Sequence, residues 1–426
     1  MQIAYGTGTV ELRLPSDRCT RVAVAARGGG REPLDAFREA LKQPMESPPL
    51  RELAAGRRVT VLLEDATRSE PHEAFVRSCM PHLADARSVT AVICTGSHAR
   101  LTGGNRQIVS TFEQVAAAEG VAAEILIHDC HDETGLKKLG TTSRGTPVAA
   151  NARALDCDVF LVASGMKNHY FAGYSNALKA FLPGVCSYDG IEANHAMALD
   201  DASTFGTHPL HPEPDRRTNP LADDMLEATR MIVRDRDVFV LATVTAGGRA
   251  LWAGAGGLGA VVAEGIRHVD RAASKRVRPH SRLVVSPGGH PDDETLYNAQ
   301  RGLELARNAM AEGAEVLFLA ACPGGTAPTA DARENFFERL TAPLDDVLRG
   351  LEEQYVLYSH KAYKFAVMLK RLRAIHVLTE MEEDTVTAAH MRKVDSPQAV
   401  LDRWLEESDE NILIVEDANR LALYAS

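Results

Sequence analysis

The stretch Val59-Thr60-Val61-Leu62-Leu63, followed by Glu64-Asp65-Ala66-Thr67-Arg68, decides the fold class. Its first five residues are aliphatic or β-branched on consecutive positions, the pattern of a strand buried on both faces rather than one. Five residues are too few for a core helix, and a helical pattern follows at 71–83. A doubly buried strand leading into a helix is the repeating unit of an α/β fold with a parallel sheet.

The unit recurs along the chain. Runs at 89–93, 124–127, 159–163, 238–244, 283–286, 316–320, 375–378 and 412–415 share its character. Helical patterns at 33–41, 111–118, 221–233, 296–310, 332–351 and 396–407 lie between them. This alternation predicts two α/β domains with mostly parallel sheets and an interdomain active-site cleft. The boundary is expected in the polar run 270–279, where Arg271, Lys275, Arg276 and Arg278 crowd ahead of Pro279, dividing the chain into 1–270 and 271–426. Segment 201–220 carries four prolines and two histidines without periodicity, and reads as a long loop of the kind that is uncommon without a function.

Charge and composition exclude several classes. Forty-seven Lys and Arg against 58 Asp and Glu leave a net charge of −11, the wrong sign for a protein that holds nucleic acid through its phosphates. No apolar stretch is long enough to span a membrane. The first residues lack the basic-then-apolar order of a secretory signal, and the seven cysteines are scattered and never spaced C-x-x-C, so reduced thiols and a cytoplasmic location are expected.

Some motifs are weak. Gly254-Ala-Gly256-Gly257-Leu-Gly259 fits a dinucleotide fingerprint, but the acidic partner expected about twenty residues on is replaced by the basic run 275–278. A tight strand-to-helix turn accounts for it better. His128-Asp-Cys-His131 reads as a solvated loop more readily than as a metal cluster, and His208 and His211 carry the same discount.

Three segments are stronger. Asp65 and Arg68 stand at the carboxyl end of a strand, where open α/β sheets bind ligands, and Arg suits a carboxylate or phosphate. Thr95-Gly96-Ser97-His98 follows the next strand in the same position. The segment 164–184 then places His169, aromatics and Lys179 after the strand at 159–163, with His195 sixteen residues beyond Lys179. A base, a covalent or cationic handle and a metal ligand could all come from these residues.

The set Asp65-x-x-Arg68, Gly96-Ser-His98, His169-Tyr-Phe-Ala-Gly, Lys179-x-x-x-Pro-Gly and His195 resembles the lactate racemase family of nickel-dependent 2-hydroxyacid racemases and epimerases. The resemblance continues through 146–151, Asn219-Pro-Leu, Pro287-Gly-Gly-His-Pro and Leu296-Tyr-Asn-Ala-Gln-Arg301, so it covers almost the whole chain in order. It implies a nickel-pincer nucleotide, a pyridinium mononucleotide whose two sulfur-bearing arms hold nickel. Lys179 would carry it covalently and His195 would be the protein ligand to nickel. Asp65, Ala66, Thr67 and Arg68 would contact it. His98 and His169 would be the two bases, and Arg68, Asn298 and Arg301 would bind substrate. On this reading 1–270 is the cofactor-binding domain and 271–426 closes over the substrate. The partners implied are a small 2-hydroxy acid and the proteins that make and load the cofactor.

Two bases suit the chemistry. The C2 hydrogen of a 2-hydroxy acid is too weakly acidic for simple proton removal, but it can leave as hydride once a histidine takes the hydroxyl proton. The keto acid then receives hydride on its other face while the opposite histidine returns a proton. Where the family has Ser-Gly-Gly before its lysine, this chain has Ser175-Asn176-Ala177, and its Gln and Lys in the C-terminal domain become Asn298 and Arg301. Asn176 and Ala177 could crowd the cofactor, so a cofactor-free relative that binds a small acid or serves cofactor trafficking is the competing reading. Asn298 and Arg301 turn the expectation away from lactate towards a longer or more polar acid.

Overall fold

The computed structural model describes residues 1–24, 29–68 and 70–426. It divides into two compact units, one of Ala26–Lys167 with Phe171–Arg271 and the other of Met1–Ala25, Asn168–Tyr170 and Ala272–Ser426. All nine sequence-expected strands form.

The larger unit holds a six-stranded sheet in the order Arg249–Gly257, Asp237–Ala246, Val159–Gly165, Arg58–Glu64, Ser88–Cys94, Ala123–Ile127. Every neighbouring pair is parallel except Arg249–Gly257 with Asp237–Ala246. The chain starts at Arg58–Glu64, steps outward twice, then returns to the other side of that first strand with Val159–Gly165. Strand order therefore reverses between these two, and the crevice beyond their carboxyl ends is where such sheets hold ligands. Val59, Val61 and Leu63 pack with Phe37, Phe75 and Phe112 on one face, while Leu62 and Val162 on the other are equally buried. The consecutive apolar pattern is thus explained by helices on both faces.

The second sheet runs Arg392–Lys393, Ala374–Leu378, Met310–Leu319, His280–Val285, Ile412–Val415, Cys19–Val22, parallel throughout. Cys19–Val22 pairs with Ile412–Val415, and Ile3 and Leu12 join Leu401 and Trp404 in one apolar cluster. A division into 1–270 and 271–426 therefore misassigns the first 25 residues, together with Asn168–Tyr170. The edge strand was hidden because two of its four residues, Thr20 and Arg21, are polar.

Two helical expectations need correction. The pattern at 332–351 is broken at Pro343, which precedes the helix Leu344–Glu353, and the part before it is a π-helical turn, Arg333–Glu338. The pattern at 296–310 ends as a helix at Ala306 and gives way to the strand Met310–Leu319. A helix at Ser359–Arg371 was not anticipated. Among the described residues no helix is long and apolar enough to cross a membrane.

Candidate active site

At the carboxyl end of Arg58–Glu64 the chain turns through Asp65, whose Oδ1 accepts the Thr67 amide (2.8 Å) and hydroxyl (2.5 Å). The Ala66 amide is held by Asn105 Oδ1 (2.9 Å), a residue of the first turn of helix Gly103–Ala118. Asp65 Oδ2 lies 2.6 Å from His98 Nδ1, and the aspartate is fully buried while the imidazole is about one-third exposed. A carboxylate only accepts, so Nδ1 carries the proton and donates, and Nε2 is left as the basic nitrogen. Burial alone would raise the Asp65 pKa, but His98, Arg68 and the Thr67 hydroxyl outweigh it and hold it well below the carboxylate range. His98 is itself placed by its amide on Thr95 O (2.9 Å), with Thr95 Oγ1 on His128 O (2.8 Å). Gly96, at φ +53°, lets this turn approach Pro183 and donate to Gly184 O (3.1 Å).

Lys179 sits in the short helix Leu178–Phe181 and is the one residue of 168–182 that is not buried. Its ammonium lies 5.5 Å from the centre of the Phe171 ring, and the His195 ring meets the same phenyl edge-on at 5.5 Å. Desolvation, with Lys179 and then His98 nearby, pushes His195 down to about 3, so it is neutral at physiological pH. The helix that carries it, Tyr188–Ala196, is bolted by Asn194 to the buried Asp224 (2.8 Å), which also accepts from Thr142 (2.5 Å) and Thr146 (2.8 Å). Asn176 and Ala177 are buried, and the Asn176 side chain turns back into the protein, accepting the Leu178 amide (2.9 Å) and donating to Tyr174 O (3.0 Å).

The sequence reading missed one group on this edge. Glu64 Oε1 accepts the Gly165 amide (3.2 Å), and burial followed by repulsion from Glu70 raises the Glu64 carboxyl well above its ordinary range. Glu70 lies 3.7 Å from Lys167 and fills the space where a side chain on Gly165 would be. A charged residue at a strand end looks solvent-facing in sequence, and only the missing side chain of Gly165 hints otherwise.

In the second unit His169 is buried and stacks on Tyr170 (5.3 Å between centroids, 17° between planes). Arg301 acts electrostatically on the Tyr170 hydroxyl from helix Leu296–Ala306, on which Asn298 sits one turn earlier. Sequence gave no signal for Lys361, a buried lysine whose ammonium donates to Tyr297 O (2.5 Å) and lies 4.0 Å from the Tyr297 ring centre and 5.2 Å from that of Tyr170.

The weaker motifs resolve structurally. His128 is a core histidine, not part of a solvated loop: Nε2 lies 2.9 Å from Cys186 O, and burial lowers it to about 4. His131 stacks on Tyr188. His208 and His211 are also buried, the latter facing Asp270 (3.4 Å) with Arg216 (2.6 Å). Among the described residues no three His, Cys, Asp or Glu side chains are grouped to hold a metal ion. The glycines at 254–257 form no turn. They belong to the strand itself, where Gly256 admits the Met45 backbone, which donates to Ala255 O and accepts from Gly257 (both 2.8 Å).

Comparison with known proteins bears on all of this. The model of the lactate racemase N-terminal domain matches residues 5–206. The lactate racemase of Thermoanaerobacterium thermosaccharolyticum is 25% identical over 338 residues, 76% of this chain and 75% of that one. That of Lactiplantibacillus plantarum is 25% identical over 381 residues, covering 84% and 82%. The chain is thus similar to the lactate racemases over three quarters or more of its length. Its relatives are isomerases, and so is this enzyme. The fold of the family extends over the full length: the lactate racemase apoprotein from T. thermosaccharolyticum has a TM-score of 0.86 at 20% identity, covering 99% of both chains. A protein from Thermotoga maritima has a TM-score of 0.67 at 17% identity, over 93% of this chain and all of the other. The strand-end groups at Asp65–Arg68 and His98, and the lysine and histidine at 179 and 195, all lie within the matched residues 5–206.

Proposed function

We propose that the enzyme racemises or epimerises a lactate-like 2-hydroxy acid with a nickel-pincer nucleotide attached at Lys179. The observation that carries this reading is the Asp65–His98 pair at the point where strand order reverses, because it fixes an imidazole with its free nitrogen basic at the ligand-binding edge.

The residues present fit the cofactor by their chemistry. A metal ligand must be a neutral imidazole, and His195 is kept neutral by its surroundings. A covalent attachment point must be reachable, and Lys179 is partly exposed among buried neighbours. The Asn176 amide is engaged with backbone, so its substitution for glycine does not by itself favour a cofactor-free binding or trafficking protein. When bound, the cofactor supplies an electron-poor carbon able to accept and return hydride.

This chain's residues do the rest. Arg68, Asn298 and Arg301 hold the substrate carboxylate and so fix C2. His98, held by Asp65, takes the hydroxyl proton at Nε2 from one antipode, and His169 does so for the other. Asp65 stabilises the imidazolium that forms. Asp65, Ala66, Thr67 and Arg68 would also help hold the cofactor. Loading requires separate cofactor-synthesis proteins, and the reaction belongs in the cytoplasm, in keeping with seven cysteines that are all free thiols.

The test is intact-protein mass spectrometry with metal analysis on protein made beside a cofactor-synthesis system, with Lys179→Ala as control. A nickel-dependent mass increment on the parent alone, together with stereochemical scrambling of a 2-hydroxy acid on chiral chromatography, is expected. A parent that stays unmodified where a known racemase is loaded would overturn the proposal.

A further inference from the structure

Asn168, the residue before His169, is buried and commits its amide nitrogen to backbone: Nδ2 donates to Ala273 O (2.7 Å) and to Arg420 O (3.1 Å). These carbonyls stand just ahead of Ser274–Val277 and Ala422–Ala425, two strands paired in parallel from Ser274 with Ala422 onward. One side chain therefore closes the head of that ribbon. Two acceptors facing one nitrogen also fix which way the amide points, since its oxygen would be repelled by both. That oxygen is buried with no hydrogen-bond partner among the described residues. A buried acceptor left unpaired costs stability, so what Asn168 contributes lies in the two bonds from its nitrogen.

The anchor it reaches is itself tied down. The turn 417–420, with Asp417 at φ +53°, closes through the Arg420 amide on Asp417 O (2.9 Å). Its Ala418 and Asn419 amides donate to Ser286 O (2.9 Å) and Pro287 O (3.1 Å), at the carboxyl end of His280–Val285. Asn419 Nδ2 donates to Asp292 O (2.9 Å) and to Asn298 O (3.2 Å). Ala418 packs so closely on helix Leu296–Ala306 that a Cβ on Gly302 would stand 2.9 Å from its own. The turn that receives Asn168 thus also holds the helix of Asn298 and Arg301. A base must stay within hydrogen-bond reach of the proton it takes. We propose that Asn168 is a positioning residue: its amide ties His169 to the turn that carries the substrate-binding helix, so that the base and the groups orienting the substrate share one frame. The inference rests on the racemase reading above and adds a residue to its machinery.

The test has a readout apart from activity. In apoprotein carrying 15N-labelled histidine, the ring signals of His169 are assigned by their loss in His169→Gln. Asn168→Ala should shift or broaden them while leaving those of His98, which belongs to the other unit, in place. In the cofactor-loaded enzyme, with whichever of lactate, malate and glycerate the parent turns over fastest, the same variant should lower kcat. A drop of about tenfold or more is expected with KM changed less than about threefold, since a catalytic group misplaced by ~1 Å costs up to about a hundredfold in rate. Asn168→Ser, whose hydroxyl keeps one donor, carries the same comparisons if Asn168→Ala does not fold. Unchanged His169 signals in a folded variant, equal changes at His98, or a loss carried by KM alone would each overturn the assignment. So would failure of both variants to fold, because the amide would then serve the fold and not the base. If the parent racemises no acid, the function proposal falls by itself, and the His169 signals still decide whether Asn168 places the ring.

Discussion

Gly173→Ala should be among the most damaging single-methyl changes in the larger unit. Gly173 adopts φ +76°, and a Cβ built there stands 1.7 Å from the carbonyl oxygen of Thr207 and 2.8 Å from its carbon. An L-residue in this conformation costs about 1–2 kcal/mol on backbone grounds alone. The overlap is with backbone, so the loop must withdraw by about 1.3 Å to reach the 3.0 Å that real Cβ atoms observe; such overpacking costs about 1–3 kcal/mol. Thr207 cannot withdraw freely. Its hydroxyl donates to Thr204 O (2.9 Å) and accepts from Asn219 (3.2 Å), whose amide also donates to Phe171 O (2.8 Å). Loosening these contacts adds about 1 kcal/mol, for a total of about 4 kcal/mol. Urea unfolding, with native-state hydrogen exchange read at 171–179 and 204–210, measures it. Gly145→Ala is the matched control, because Gly145 has φ +91° with nothing within 4 Å of a Cβ and should show the conformational cost alone. If Gly173→Ala costs no more than Gly145→Ala, the steric argument is wrong.

Other expectations follow from the polar groups. Asp65→Asn should cost about 2 kcal/mol at neutral pH, the worth of a hydrogen bond to a charged group. The Asp65 carboxyl is depressed in the fold, so its stabilisation is present above the unfolded value of about 3.9 and is lost as pH falls below it; denaturation curves of parent and variant should converge in acid. Glu64→Gln has the opposite sign. Its carboxyl is raised in the fold, so the parent loses stability as pH climbs above the unfolded value of about 4.3, and the variant should gain on the parent between pH 5 and 8, which a pH series of urea midpoints will show. Asn219→Ala removes the cap on helix Pro220–Val233 and the bonds to Phe171, Thr204 and Thr207. A loss of about 3 kcal/mol is expected from the cap and the stranded carbonyls, and a change under 1 kcal/mol in urea would contradict it.

What the sequence made legible follows the physics of each element. The strand at Arg58–Glu64 announced itself because helices cover both of its faces, so almost every residue had to be apolar. Arg249–Gly257 did not, because its glycines answer to the Met45 backbone, a partner some two hundred residues away. Asp65 and His98 were readable because polar residues at the ends of buried strands have little structural reason to be there. Glu64 was not, since its burial depends on Gly165 and Glu70 across the sheet edge. His169 shows where spacing itself stops being informative. The ten residues between it and Lys179 look like one motif, yet Asn168–Tyr170 belong to the unit of Arg301 and Lys361, and the chain from Phe171 onward to that of Asp65 and His98. Three residues, too few to form a core of their own, take their environment from whichever core receives them. His169 stacks on Tyr170, whose ring in turn faces the Lys361 ammonium (5.2 Å) from helix Ser359–Arg371, a neighbour that no short pattern around the histidine announces.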